Sequence, residues 1–310
     1  MNKSFEIFDA HAHIIYGING IKRGQKTATA KYGRILWNNR EINFLPPFFY
    51  DTQFTSETLI ENMDFCGVSK AVLLQNPVIG ILNNEIRQAI EKYPNRFIGT
   101  IQVDPMKKDA CDVIRKYASE KQNTLKLEIS EEWGWSGNYP GFSLVGKEMM
   151  AVWETVGKLG LRVIIDTGDI FNNGYQIENI RFVAKSFPDT KILIEHLGFY
   201  RNDLDERSKD RRNEMLQLGK ELENVYFGFS STAAFINDDY PCPKAQKLLQ
   251  QAIEIVGAKK ILWGSDIPST MKKYTYQQLV DVVVKHAGFL SERNKKLILN
   301  NNAETFFSGY

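Results

Sequence analysis

Eight short runs dense in β-branched and aliphatic residues recur along this chain, each followed by a segment with helical spacing. The runs are Phe5–Asp9, Lys70–Gln75, Phe97–Val103, Thr124–Ile129, Arg162–Asp166, Lys191–Glu195, Val225–Phe229 and Lys260–Trp263. The helical segments are Ser56–Cys66, Asn84–Tyr93, Ala110–Ser119, Lys147–Leu159, Ile177–Ser186, Ser208–Leu222, Ala245–Val256 and Tyr276–Ala287. A chain that returns through a helix re-enters its sheet in the same direction. Eight such repeats therefore predict parallel strands closed into a (β/α)8 TIM barrel. A doubly wound open sheet is the alternative, weakened because no glycine-rich phosphate loop follows the first run. Gly160 and Gly257 fall where two of the helices should stop.

At 310 residues the chain is long for one domain, yet α/β barrels reach this size as a unit, so 1–310 reads as a single domain. One connection departs from the pattern. Residues 15–51, with Gly17, Gly20, Gly24, Gly33, Pro46 and Pro47, are too many for a turn. Long loops in compact domains tend to be lids or binding loops. With Trp37, Arg40, Phe48, Phe49 and Tyr50 in it, this insertion after the first strand reads as a substrate-covering lid. A contact in a homo-oligomer or a flexible excursion is the other reading.

Lys and Arg number 39 against 37 Asp and Glu, with no block of one sign, which speaks against nucleic acid or an anionic membrane as partner. The mixed-sign run Asp203–Arg212 reads as a solvated helix face. Cys66, Cys111 and Cys242 are odd in number and widely spaced, which argues for a reducing compartment. With no apolar stretch of membrane-spanning length and no leader-like start, the expectation is a cytoplasmic protein acting on a small molecule.

The chemistry gathers at the ends of the runs. Asp9-Ala10-His11-Ala12-His13 closes the first, and residues two apart on a strand share a face, so His11 and His13 can meet one ion. Gly264-Ser265-Asp266 ends the eighth, beside the first in a closed barrel, where Asp266 serves as a ligand or as a base for metal-activated water. His196 follows the sixth run in the same phase as Ile192 and Ile194, read as inward-facing, and can polarise a substrate or shuttle a proton. His286, in a late helix, reads as structural. In the fourth run Leu125, Leu127 and Ile129 should face the helices, which turns Lys126 and Glu128 inward as an ion pair, with Glu128 within reach of substrate. Trp133, Trp135, Tyr139 and Phe142 crowd the loop after it, and Phe199, Tyr200 and Arg201 follow His196. Trp133 and Arg201 suit a planar or acidic substrate, although loop packing explains any one of these residues alone.

These residues resemble the amidohydrolase superfamily, in the amidohydrolase-related branch that includes aminocarboxymuconate-semialdehyde decarboxylase and resorcylate-type decarboxylases. The likeness runs through Phe8-Asp9-Ala10-His11-Ala12-His13, Gly67-Val68-Ser69-Lys70-Ala71-Val72, and Arg96-Phe97-Ile98-Gly99 with Val103-Asp104-Pro105. It continues in Glu195-His196-Leu197-Gly198, Gly264-Ser265-Asp266-Ile267-Pro268 and Asn302-Ala303. The resemblance implies His11, His13 and Asp266 as metal ligands and His196 as catalytic acid or base. The family usually adds a histidine ligand after the fifth strand, where this chain reads Ile165-Asp166-Thr167-Gly168-Asp169. Asp166 then stands as a fourth ligand of one divalent ion, zinc first, with manganese or magnesium as alternatives. If Asp166 is too short to reach, the site is metal-poor. The leading expectation is a metal-dependent hydrolase of a small, anionic amide, ester or lactone. Non-oxidative decarboxylation of an aromatic or enoic acid is the alternative on the same scaffold. A lactonase with little or no metal, or a barrel that only binds a ligand, comes after it.

Overall fold

The computed structural model describes residues 5–198 and 206–308. Strand β1 (Phe8–His13) opens it, and a four-stranded antiparallel sheet follows: β2 (Ile21–Lys22), β3 (Gln25–Thr29), β4 (Arg34–Trp37) and β5 (Arg40–Asn43). The remaining strands are β6 (Lys70–Leu74), β7 (Phe97–Ile101), β8 (Thr124–Glu128), β9 (Arg162–Asp166), β10 (Ile192–Ile194), β11 (Val225–Phe229) and β12 (Ile261–Trp263). With β1 they make an eight-stranded sheet in chain order, each pair parallel. The ring closes just past β12. The Asp266 N–H donates to His11 O at 2.7 Å, and the His13 N–H donates to Ile267 O at 2.9 Å. This is the TIM barrel that the eight repeats predict.

Two layers of apolar side chains hold it. The outward-facing residues of the strands, Leu125, Leu127 and Ile129 among them, pack in one large buried cluster with the helices. Inside, Phe8, Ala10, Val72, Leu74, Ile164, Leu193 and Leu262 form a separate cluster with Ala303, Phe306 and Phe307. Phe8, Arg162 and Tyr226 mark the N-terminal ends of their strands. Phe307 lies 5.8 Å from the ring of Phe8, Phe306 lies 5.2 Å from that of Tyr226, and Arg162 Nε donates to Phe306 O. The segment bearing these two phenylalanines therefore plugs that end, each ring contributing about 1.5–3 kcal/mol by burial. The opposite end is left open.

Several expectations need correction. The first strand is Phe8–His13, not Phe5–Asp9, so the histidines lie within it; alternating Asp9, His11 and His13 hide a strand from a search for apolar runs. Within residues 15–51, read as a long loop, residues 21–43 form the β2–β5 sheet. Its turns carry the signal that was overlooked: Arg23-Gly24 and Asn38-Asn39 have φ of 48°, 72°, 50° and 57°, the paired positive values of two-residue hairpins. The segment from Glu292 to Phe307 is helical, through a π-turn at Leu297–Asn301, and was not expected. Gly160 and Gly257 do end helices, with φ of 65° and 81°. Cys66, Cys111 and Cys242 are free, and no helix among the described residues is long and apolar enough to cross a membrane.

Candidate active site

The open end of the barrel holds a cavity of about 440 Å³. His11, His13, Lys126, Glu128, Asp166, His196 and Asp266 all line it. Strand β1 delivers its histidines through an irregularity. Phe8 and Ala10 belong to the interior cluster, the pairing with β6 shifts between Asp9 and Ala12, and beyond that shift His11 and His13 face the cavity. Asp9 fastens the seam. Its buried Oδ1 accepts from the N–H groups of His11 (3.0 Å) and Ser265 (2.9 Å), and Oδ2 accepts from Ser265 Oγ (2.5 Å) and Tyr276 OH (2.7 Å).

Three atoms converge at this seam. His11 Nε2 and His13 Nε2 are 3.1 Å apart, and Asp266 Oδ1 lies 3.5 Å from the first and 3.2 Å from the second. Both rings are committed at the other nitrogen: His13 Nδ1 donates to Leu74 O (3.0 Å), and His11 Nδ1 donates to Glu195 Oε2 (2.9 Å). Each partner only accepts, so the protons sit on Nδ1 and two Nε2 lone pairs face one another beside a carboxylate. Between two neutral imidazoles that arrangement is repulsive unless a cation joins it, either a metal ion or the second proton toward which Glu195 and Asp266 draw His11. Imidazoles held by a carbonyl or carboxylate behind them are the usual setting of metal ligands, and the atom spacings match donors around an ion some 2 Å from each. The residues present fit a divalent metal.

The charges agree. Burial opposes ionisation of Asp266, but His11 and His13 outweigh it and hold the carboxyl well below its ordinary range. Burial likewise pulls the His11 imidazole down, yet the Glu195 and Asp266 carboxylates leave it raised. His13 is lowered, chiefly by burial. Ser269 Oγ donates to Asp266 Oδ1 at 2.9 Å and Ser231 Oγ donates to Oδ2, fixing the carboxylate in place.

A second group stands alongside. His196 Nδ1 is 2.9 Å from Ser230 O, and Nε2 is 2.9 Å from Asp166 Oδ2. Burial again works against charge, and Asp166 overrides it, lifting His196 to about 9. His196 reaches the cavity by a route other than strand phase. Ile192 and Ile194 pack outward, while Leu193 faces in; the chain then turns through a left-handed residue, His196 itself with φ 57° and ψ 31°. Below lie Lys126 and Glu128, inward as the alternation requires, with Nζ 3.3 Å from Oε2. His11, His196 and Asp266 also offer ligand atoms within 4.8 Å of one another, a looser grouping than the one at the seam.

The insertion contributes Phe44 and Leu45 to the cavity, rather than Trp37 or Arg40. Of the aromatics after β8 only Trp133 lines it, 6.2 Å from Phe44, with Lys22 Nζ 3.7 Å above its ring. Trp135 and Phe142 are buried packing, and Tyr139 donates to Asp104. Phe199, Tyr200 and Arg201 lie outside the described residues. His286 pairs with Tyr240 OH, 2.6 Å away.

Sequence reasoning passed over Glu195, Ser230 and Ser231. Glu195 Oε2 also accepts from Ser230 Oγ at 2.7 Å, and Gly228 leaves room for it, since a Cβ there would stand 2.2 Å from that oxygen. An acidic residue ending the apolar run Ile192-Leu193-Ile194 was the available signal. Gly228→Ala should push the Glu195 carboxylate off His11 and weaken metal binding about 10–100-fold, as loss of such a partner does elsewhere. Chelator competition measures this, and unchanged affinity would refute the role given to Glu195.

A barrel of this topology, with a His/His/Asp cluster that could hold a metal ion at the C-terminal ends of its strands, is laid out as an α/β-barrel enzyme. A family model described as Amidohydrolase matches residues 8–309, and the chain belongs to that family. Among solved structures it is similar to a probable 2-pyrone-4,6-dicarboxylic acid hydrolase from Acinetobacter baumannii, at 18% identity over 99% of each chain with a TM-score of 0.70. It is also similar to 5-carboxyvanillate decarboxylase from Sphingomonas paucimobilis, at 15% identity over 98% of this chain and 99% of the other, with a TM-score of 0.65. The 2,6-dihydroxybenzoate decarboxylase from Rhizobium shares 15% identity over 83% of this chain and 89% of its own, with a TM-score of 0.56. At these identities the likeness concerns the fold. No curated protein matches the chain.

Proposed function

We propose that this chain is a divalent-metal-dependent hydrolase of a small, anionic amide, ester or lactone. The observation that carries the reading is the pair of facing Nε2 atoms, 3.1 Å apart beside Asp266 Oδ1, with both Nδ1 protons already assigned. A divalent ion on His11, His13 and Asp266 would supply the Lewis acidity that polarises a carbonyl and eases ionisation of water. Zinc suits two imidazoles and one carboxylate best.

Asp266 faces the same point and accepts the proton of the attacking water. His196 holds a proton on Nε2, where it meets Asp166 Oδ2, and gives it to the leaving group in exchange for that hydrogen bond. Phe44, Leu45 and Trp133 give the cavity an apolar wall. A volume of about 440 Å³ accommodates a small molecule. Lys272 lines the cavity, with Asp266 the one charge among the described residues near enough to act on it, and is the cation we assign to a substrate anion. Free cysteines support a reducing, cytoplasmic setting.

The test is a panel of small anionic lactones, esters and amides in ¹⁸O-labelled water, with chelator-treated protein before and after zinc. Zinc-dependent product carrying one labelled oxygen supports the reading. Carbon dioxide release from a carboxylic acid, without label in the product, overturns it in favour of decarboxylation. On a substrate so found, Lys272→Ala should raise KM about 10-fold or more, as loss of a charge-assisted contact does, with kcat little changed. An unchanged KM would place the anion elsewhere.

A further inference from the structure

Four carboxylates, three buried and Asp166 partly so, stand at or just behind the cavity wall, and the structure gives each a partner. Glu128 Oε2 meets Lys126 Nζ. Glu195 meets the ring N–H of His11. Asp266 meets the Nε2 atoms of His11 and His13. Asp166 is spoken for at both oxygens: Oδ2 by His196 Nε2 at 2.9 Å, and Oδ1 by the Gly168 N–H at 3.1 Å. His196 Nδ1 is turned to the Ser230 carbonyl at 2.9 Å and to Ser230 Oγ at 3.0 Å, whose own hydrogen goes to Glu195 Oε2; Nδ1 therefore donates, the proton that Asp166 meets is on Nε2, and the pair is an imidazolium with a carboxylate. Asp266 and Glu195, the second acting through His11, then remain to balance a doubly charged ion at the seam.

We infer that Asp166, although it stands where the family resemblance implies a metal ligand, is the fixed anionic partner of His196, leaving His11, His13 and Asp266 to hold the ion. The inference rests on the metal reading proposed above. It explains how an aspartate is accommodated at this place in the barrel. A carboxylate turned to the metal would have to share or give up the oxygen that now meets His196 Nε2 at 2.9 Å. Bound to His196, it orients the imidazole and holds the Nε2 proton at the cavity until a leaving group takes it. Asp166 is the more exposed of the two, 14% against 2% for the side chains, so the couple meets the cavity through its carboxylate edge. Asp166 is a positioning residue in this arrangement.

The test measures zinc affinity by competition with a chromogenic chelator, with zinc as the only added probe. It compares wild type, Asp166→Asn, Asp166→Ser, His196→Asn and Asp266→Asn. The serine variant stands beside the asparagine in case one of them fails to fold. Affinity should stay within about threefold of wild type in the Asp166 and His196 variants. It should fall by more than about 100-fold in Asp266→Asn, beyond what an outer partner costs. In the zinc-loaded protein labelled with ¹⁵N-histidine, the downfield His196 Nε2–H signal should vanish in Asp166→Asn. Zinc loss in the Asp166 or His196 variants, to the extent seen in Asp266→Asn, would overturn the inference and leave the proposed function standing. So would persistence of that signal. A wild type that binds no zinc overturns the proposed function itself, and this assignment with it.

Discussion

Replacing His196 by asparagine is expected to lower turnover by a factor of about 10²–10⁴, the contribution of a positioned proton donor, while metal content stays at the wild-type level. Asparagine keeps an N–H for Asp166 and similar bulk beside Phe235, whose ring lies 4.9 Å from the imidazole, so the wall of the cavity should survive. What disappears is a proton that can leave. The check pairs steady-state kinetics on a substrate from the labelled-water screen with metal analysis of the same preparation. Retained turnover would move the donor role to another group. Lost metal would mean that His196 binds the ion, as its place in the looser grouping with His11 and Asp266 permits.

Lys126→Met carries the largest stability effect, roughly 3–5 kcal/mol, because removing one member of a buried ion pair leaves the other charge without compensation. Lys126 is 1% exposed and Glu128 6%, so water does not take over. The deficit should depend on pH. Burial and the neighbouring Asp166 already push the Glu128 carboxyl upward against the pull of Lys126, and without the lysine it rises further. A carboxyl raised in the folded state favours folding below its unfolded range and withdraws that contribution as pH climbs through the folded value. The variant should therefore lie further below wild type at pH 8 than at pH 5, read as urea midpoints. Equal deficits at both would show that methionine fails by shape rather than by charge.

The barrel was legible because parallel strands covered on both faces are apolar runs, and because polar residues mark where each run meets the cavity. Asp166, Asp266 and the inward turn of Lys126 and Glu128 follow from that rule. His196 was found for a reason the structure corrects: its neighbours Ile192 and Ile194 face the helices, and a left-handed turn, invisible to an alternation count, swings the imidazole inward. The sheet after β1 escaped notice since its strands are mostly exposed and show little apolar pattern; only its hairpin turns announce it. Glu195 and Ser230 gain meaning solely through pairing between strands, which no single-sequence period encodes.

The seam between β1 and the end of β12 is both where the ring shuts and where the ligand atoms meet. Asp9 and Ser265, which clasp it, are 256 positions apart along the chain. No half-assembled barrel, however many strands it has already aligned, can present His11, His13 and Asp266 to one ion. Metal capture at the seam would thus report that folding has run to completion. An ion captured there would act as a rivet across a contact that closes most of the chain into one loop, where chain entropy favours reopening.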